Sequence, residues 1–130
     1  MFHAFASQEE RKKFSGSYFI ELQYCRLKPG TDIKKIISVD AIEDWKNDSL
    51  YIHGNDDYKF VSHYGKIFTG GIYNNGKTGM VDMYGINYYS CKQANLILEQ
   101  VKEMKPLNYQ ILLSWLEKVK EYNGFYILGL

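Results

Sequence analysis

Cysteine and proline are nearly absent from this chain, which holds two of each among 130 residues. Cys25 and Cys91 cannot build a disulfide framework, and they are too far apart in sequence for a C-x-x-C pair, so a small disulfide-stapled scaffold is excluded. With only Pro29 and Pro106, and no run rich in Pro, Gly or Ser, nothing marks a linker. No apolar run approaches the roughly 20 residues of a membrane-spanning helix. The opening "MFHAFASQEERKKF" has neither the basic start nor the apolar stretch of a secretory signal. An excess of one charge is missing as well. Sixteen Lys and Arg stand against fifteen Asp and Glu, a formal net charge of +1, so no whole-molecule basic field points to nucleic acid. No repeat of fixed period is visible. The expectation is one cytoplasmic domain over residues 1–130, with no membrane or nucleic-acid partner.

Aromatic residues are plentiful: twelve Tyr, seven Phe and two Trp. "SYFIELQYCRL", residues 17–27, alternates, with Tyr18, Ile20, Leu22 and Tyr24 on one face and Glu21 and Gln23 on the other, and reads as a half-buried strand. Thr31 is placed to cap a helix with Asp32 in its first turn and Ile33, Ile36 and Ile37 on one face; it either ends there or continues through Trp45, and a helix over Asp44 and Asp48, four residues apart, would put both on one side. "LYIHG" and "YKFVSHY" read as strands flanking an "NDD" turn. "KIFTGGIY" and "TGMVDMYG" read as a hairpin about Asn75-Gly76, with Ile72 opposite Gly79 and with Phe68, Ile72, Val81 and Met83 on one face. Ser90 and Gln93 have the form of a capping box. A helical stripe follows at Ala94, Ile97, Leu98, Val101 and Met104, stopped by Pro106. A second helix, capped by Asn108, carries Leu112, Trp115, Leu116 and Val119, with Gly124 after its end. "FYILGL" closes the chain as a short buried or edge strand. The expected class is α+β: a mostly antiparallel sheet of meander and hairpins, packed against a C-terminal helix pair, with a short C-terminal strand.

Gly71, Gly76, Lys77 and Thr78 spell G-x-x-x-x-G-K-T, the letters of a phosphate-binding loop. That loop works only between a strand and a helix that begins right after the Lys-Thr pair. Here "GMVDMYGINYY" follows, a strand-like run, so the match reads as a hairpin turn and no nucleotide cofactor is expected.

Other groups are weighed for chemistry. His53, Asp56, Asp57 and His63 could converge across a hairpin, but their spacing matches no known metal-ligand pattern, and no metal is expected. Cys25 is expected on the half-exposed face of its strand. Cys91 opens a helix, where the dipole could lower its pKa. Asp82 lies on a hairpin face with Thr69, Tyr73 and Tyr84, and either a ligand-binding acid or a hydrogen-bonded surface acid fits it. The clearest asymmetry runs from Ile36 to Tyr58. Asp40, Glu43, Asp44, Asp48, Asp56 and Asp57 face Lys46 alone, with Trp45, Tyr51 and Tyr58 interleaved. Such a run is either a solvated helix face plus a turn, or an acidic surface with aromatic anchors for a basic protein.

The acidic, Tyr-rich middle (residues 40–58), the stretch "GGIYNNGKTGMVDMYGINYY" and the tail "LNYQILLSWLEKVKEYNGFYILGL" make the chain resemble the small immunity proteins of bacterial polymorphic-toxin and contact-dependent growth-inhibition systems. The resemblance is to a class in size and layout, and no residue role carries over. It implies a cytoplasmic, non-catalytic protein that binds and neutralises a cognate toxin, often a basic nuclease. The partner-binding residues would be Asp40, Glu43, Asp44, Trp45, Asp48, Tyr51, Asp56, Asp57 and Tyr58. The competing expectation is a small enzyme or ligand-binding domain centred on Asp82 with neighbouring Tyr and His.

Overall fold

A computed structural model describes residues 1–14 and 18–129. Ser17 and Leu130, which bounded two of the expected strands, lie outside them. Seven strands form one sheet: β1 (Phe2–His3), β2 (Phe19–Tyr24), β3 (Leu50–His53), β4 (Gly71–Tyr73), β5 (Thr78–Gly79), β6 (Ile86–Tyr89) and β7 (Phe125–Gly129). Their order across the sheet is β1-β3-β2-β7-β6-β4-β5, and every pairing is antiparallel. The C-terminal strand is therefore not at an edge. It is the central strand, buried along its length, with β2 and β6 on its two sides.

Alternation divides each strand between two faces. Ile20, Leu22, Tyr24, Leu50, Ile52, Tyr89, Phe125 and Ile127 point into the main core. Three helices cover that face. They are α3 (Asp57–Tyr64), α4 (Cys91–Met104) and α5 (Tyr109–Glu117), contributing Phe60, Tyr64, Ala94, Ile97, Val101, Leu112, Trp115 and Leu116. The helical stripes of α4 and α5 face inward as their spacing predicts, except that Met104 at the end of α4 is exposed. Ser90 Oγ accepts the Gln93 N–H at the start of α4, but the Gln93 side chain donates to Thr69 O instead of closing the box. The α4 C-terminus turns at Lys105, left-handed at φ 46°, just before Pro106. Asn108 is also left-handed and gives α5 no side-chain cap.

The second face is buried too, which overturns the half-buried reading of β2. Gln23 and Cys25 are almost wholly enclosed, and Phe19 nearly so. Two clusters fill this face. Cys25, Tyr88, Tyr126 and Leu128 meet Ile36 and Ile37, and Phe19 and Tyr51 meet Phe5 and Trp45. Among the described residues little helix covers them: α1 (Gln8–Phe14), α2 (Ile33–Ile36) and a 3₁₀ turn (Val39–Ala41). The cap of α2 is Asp32, which accepts the Lys34 N–H; the Thr31 hydroxyl donates to Lys28 O instead.

Two further expectations change. "YKFVSHY" is helical, because the apolar positions that matter are Phe60, Tyr64, Ile67 and Phe68, spaced by three and four; all are buried, while Tyr58 faces out. The hairpin exists but its register is one residue different, with Ile72 opposite Thr78 and Gly71 opposite Gly79. Gly76 N–H donates to Tyr73 O and Tyr73 N–H to Lys77 O. This is a three-residue loop, Asn74-Asn75-Gly76, with Gly76 alone at positive φ, 85°. The shift sends Ile72 to the second face, away from Phe68, Val81 and Met83. No helix begins after Thr78; the next is α4 at Cys91. Among the described residues no helix is long and apolar enough to cross a membrane.

Trp115 anchors α5. Its ring stacks on Tyr24 at 4.1 Å, and Tyr24 stacks on Tyr122 at 4.4 Å. Its indole N–H donates to Asp48 O at 2.8 Å. Trp115→Ala is expected to cost about 3–5 kcal/mol, the range for truncating a buried aromatic, read as a drop in the urea midpoint at unchanged m-value. Wild-type stability in that variant would mean the stack contributes nothing.

Candidate protein-docking surface

The nine residues singled out between Asp40 and Tyr58 do not form one face. β3 divides them: Asp40 to Asp48 precede it, Tyr51 lies on it, and Asp56, Asp57 and Tyr58 follow it at the entry to α3.

The first group lies on the segment that covers the second sheet face. Its main chain is held by sheet side chains instead of by helical bonds. Gln23 Oε1 accepts the Glu43 N–H at 3.3 Å, and Gln23 Nε2 donates to Glu43 O at 3.1 Å. Tyr51 OH accepts the Lys46 N–H at 3.2 Å and also lies 3.1 Å from Lys46 O. These bonds replace a helix ladder, which is why no helix carries Asp44 and Asp48 on a shared side. Asp48 is paired with Arg26, and Glu43 lies 3.5 Å from Arg26 and 3.3 Å from Lys46. The Arg26 guanidinium in turn sits 5.4 Å over the Tyr122 ring, at the end of the Trp115 stack. Tyr51 is fully buried and cannot meet a partner. Trp45 packs on the Phe5–Phe19–Tyr51 cluster, and its indole N–H finds no partner among the described residues. Of this group, Asp40 and Asp44 stand exposed and outside any ion pair among the described residues.

Glu21 lies beneath the segment. One carboxylate oxygen accepts from Ser49 Oγ at 2.7 Å, Gln23 Nε2 at 3.0 Å and Tyr51 OH at 3.2 Å. Burial pushes its pKa up, against the opposing pull of those donors and of Arg11. Arg11 lies over the Tyr51 ring at 5.3 Å.

The second group begins where β3 ends. His53 Nδ1 accepts the Asn55 N–H and starts a 3₁₀ turn (Gly54–Asp56) that runs into α3. Because α3 is a helix, His63 stands on its exposed side and does not face His53 across a hairpin. Asp56 pairs with Lys59 at 3.7 Å. Tyr58 is 65% exposed, and Val61, one turn on, is 44% exposed. Tyr84 is 77% exposed on the loop before β6. The burial of Tyr18 raises its pKa, and its hydroxyl has no partner among the described residues. Phe19 lies opposite His53, Ile20 opposite Gly129 and Ile86 opposite Leu128, so Tyr18, Tyr84 and the start of α3 at Asp57 share one end of the sheet. Tyr18 and Tyr84 were not assigned to a partner surface from sequence. They come from distant segments, and the pairing of β2 with β7 and of β7 with β6 brings them to this end.

Asp82 is engaged in its own turn. Its Oδ1 accepts the Tyr84 N–H at 2.9 Å, two residues on, and its main chain exchanges two 2.7 Å bonds with buried Asn87. Thr69 and Tyr73 do not share a strand face with it, since β4 and β5 end short of it; Tyr73 OH donates instead to Met80 O. Cys25 is sealed in the second-face cluster, not half-exposed, and Cys91 Sγ donates to Tyr122 O at 3.2 Å.

Glu21 supplies a pH test. With its folded pKa above the ordinary value of about 4.3, the folded state holds the proton more tightly than the unfolded chain. Stability therefore falls as pH rises from the ordinary value through the raised one. Glu21→Gln cannot titrate. Relative to wild type, its unfolding free energy should rise as pH moves from about 4 to about 8, measured by urea unfolding at each pH. A wild-type-minus-variant difference that does not change with pH would place the Glu21 pKa at its ordinary value.

No protein-family model, curated protein or solved structure matches this chain, so its surface chemistry is the ground on which a function rests.

Proposed function

We propose that this protein is a non-catalytic, cytoplasmic immunity protein that binds and blocks a basic toxin domain of the nuclease kind, and that it docks through Asp57, Tyr58 and Tyr84 at one end of the sheet. The observation that carries the reading is the exposure of Tyr84 and Tyr58, 77% and 65%, beside an acid. Tyrosine gives large contact area at low entropy cost, and such residues dominate interface energetics when a partner buries them. Asp57, which opens α3 one residue before Tyr58, supplies charge complementary to a basic cleft. Asp40 and Asp44, on the far side of β3, add a field that steers approach without central contact. Asp82 closes its own turn, which favours binding over a ligand site built around that acid.

The test pairs the chain with the toxin-like product of the neighbouring reading frame. Tyr58→Ala and Tyr84→Ala should each weaken binding by about 2 kcal/mol, roughly 30-fold in Kd, with unchanged melting temperature. The double variant Asp40→Lys/Asp44→Lys should mainly slow association and flatten its salt dependence. Full-strength binding by the two tyrosine variants would move the interface elsewhere. Absence of binding to any neighbouring gene product, with no protection of toxin-expressing cells, would overturn the immunity reading.

A further inference from the structure

The hairpin that rules out a phosphate-binding loop carries a different chemistry. The chain contains two Asn-Gly pairs, Asn75-Gly76 and Asn123-Gly124. Asn-Gly is the dipeptide in which the glycine nitrogen most readily attacks the preceding side-chain amide, because no Cβ shields that nitrogen. The two pairs sit in opposite surroundings.

Asn75 and Gly76 are both exposed at the tip of the β4–β5 loop. Open space surrounds Gly76, where an added Cβ would meet nothing within 4 Å. Asn75 Oδ1 accepts the Lys77 N–H at 2.9 Å. That bond polarises the side-chain carbonyl and donates to the oxygen that becomes negative when its carbon is attacked, as an oxyanion-hole donor does. The main restraint on the nucleophile is one hydrogen bond, Gly76 N–H to Tyr73 O at 2.9 Å, in a short terminal loop of a sheet edge.

Asn123-Gly124 is clamped. The Asn123 N–H donates to Cys25 O at 3.0 Å, its side-chain Nδ2 donates to Lys28 O at 3.2 Å, and its carbonyl accepts Tyr88 OH at 2.6 Å. Gly124 is held at φ 88°, its carbonyl accepts the Cys25 N–H, and an added Cβ would stand 2.2 Å from Tyr89 O. The rearrangement needed to bring the glycine nitrogen onto the side-chain carbon would tear this junction open.

We infer that Asn75 is a site of spontaneous deamidation and that Asn123 is protected by the fold. The deprotonated Gly76 nitrogen attacks Asn75 Cγ, forming an N–C bond. The Cγ–Nδ2 bond breaks, and ammonia leaves with a proton from water, giving a cyclic succinimide. Water then adds to either carbonyl of the ring and the ring C–N bond breaks, giving aspartate or isoaspartate. The net change is one water consumed and one ammonia released, with no oxidant or reductant. The product adds one negative charge, cancelling the chain's formal net charge of +1. Isoaspartate also inserts a methylene into the main chain, at a loop whose neighbour Asn74 ties the hairpin to Ile37 O at 2.8 Å.

Trypsin separates the two sites into Ile67–Lys77 and Glu121–Leu130. The folded full-length protein is held at mildly alkaline pH and sampled over days, and each peptide is scored for the amide-to-acid mass increment and for isoaspartate methyl acceptance. A urea-denatured sample runs in parallel. Both peptides should convert in urea, whereas only Ile67–Lys77 should convert in the folded protein, and Asn75→Gln should abolish that conversion. Equal conversion of both sites in the folded chain would overturn the protection of Asn123. An unmodified Ile67–Lys77 over a time in which the denatured chain converts would overturn the reactivity of Asn75.

Discussion

The fold depends on how the second face of the sheet is closed. Three helices cover the first face, and their main chains are satisfied internally. The second face is covered mostly by non-helical chain, whose amides and carbonyls need partners once buried. Side chains standing on the sheet provide them. Tyr126 OH donates to Ile36 O at 2.6 Å, Tyr51 OH reaches Lys46, and Gln23 holds both main-chain groups of Glu43. Elsewhere Tyr24 OH ties Trp115 O, Tyr64 OH ties Leu107 O and Tyr88 OH ties Asn123 O. Burial raises the pKa of each of these five phenols, so each remains a donor across the ordinary pH range. A net gain of about 1 kcal/mol per bond makes such anchors together comparable to a typical domain stability of about 5–15 kcal/mol. Phenylalanine in place of Tyr64 or Tyr88 would fill the same volume and take the phenol donor from the Leu107 or Asn123 carbonyl.

The central place of β7 adds a topological constraint. Its partners are β2, some hundred residues earlier, and β6, separated from it by the α4–α5 pair. The sheet cannot be continuous until Phe125–Gly129 slots between them, so the pairing that completes both cores is among the longest-range in the molecule. Such non-local pairing slows folding. It also explains why "FYILGL" carries no alternation. A strand buried on both faces has no polar side to display.

Legibility followed the same division. The α4 and α5 stripes were readable because each helix has one wet face, and the spacing of Trp115, Leu116 and Val119 was enough to place them. β2 was found as a strand, but Glu21 and Gln23 misled about exposure, since they are polar in order to anchor loops. Residues 58–64 read as a strand because Tyr58 and Phe60 alternate; the helical period becomes visible only when Ile67 and Phe68 are counted with Phe60 and Tyr64. The hairpin was recognised from Asn-Gly, but the same letters serve both a two-residue and a three-residue loop, and the register turned on that choice. In the acidic segment, sequence could not separate Glu43 and Asp48 from Asp40 and Asp44. The separating residue is Arg26, some twenty positions away on the chain, and its pairing depends on the end of β2 lying beside the start of β3.

That separation is what turns a composition into a surface. An acid that pairs with Arg26 stabilises the covering segment and has little charge left to offer a partner, whereas an unpaired acid of the same segment projects its field into solvent. The tyrosines divide in the same way. Tyr24, Tyr51, Tyr64, Tyr88 and Tyr126 are buried and hold loops, and Tyr122 completes a ring stack beneath Arg26. Among the described residues Tyr58 and Tyr84 hold nothing comparable: their rings lie largely in water, where a phenyl face gains no burial and a phenol is no better satisfied than a serine would be. The proposed docking surface is built on that difference, since burial against a partner would give these two rings what the fold does not.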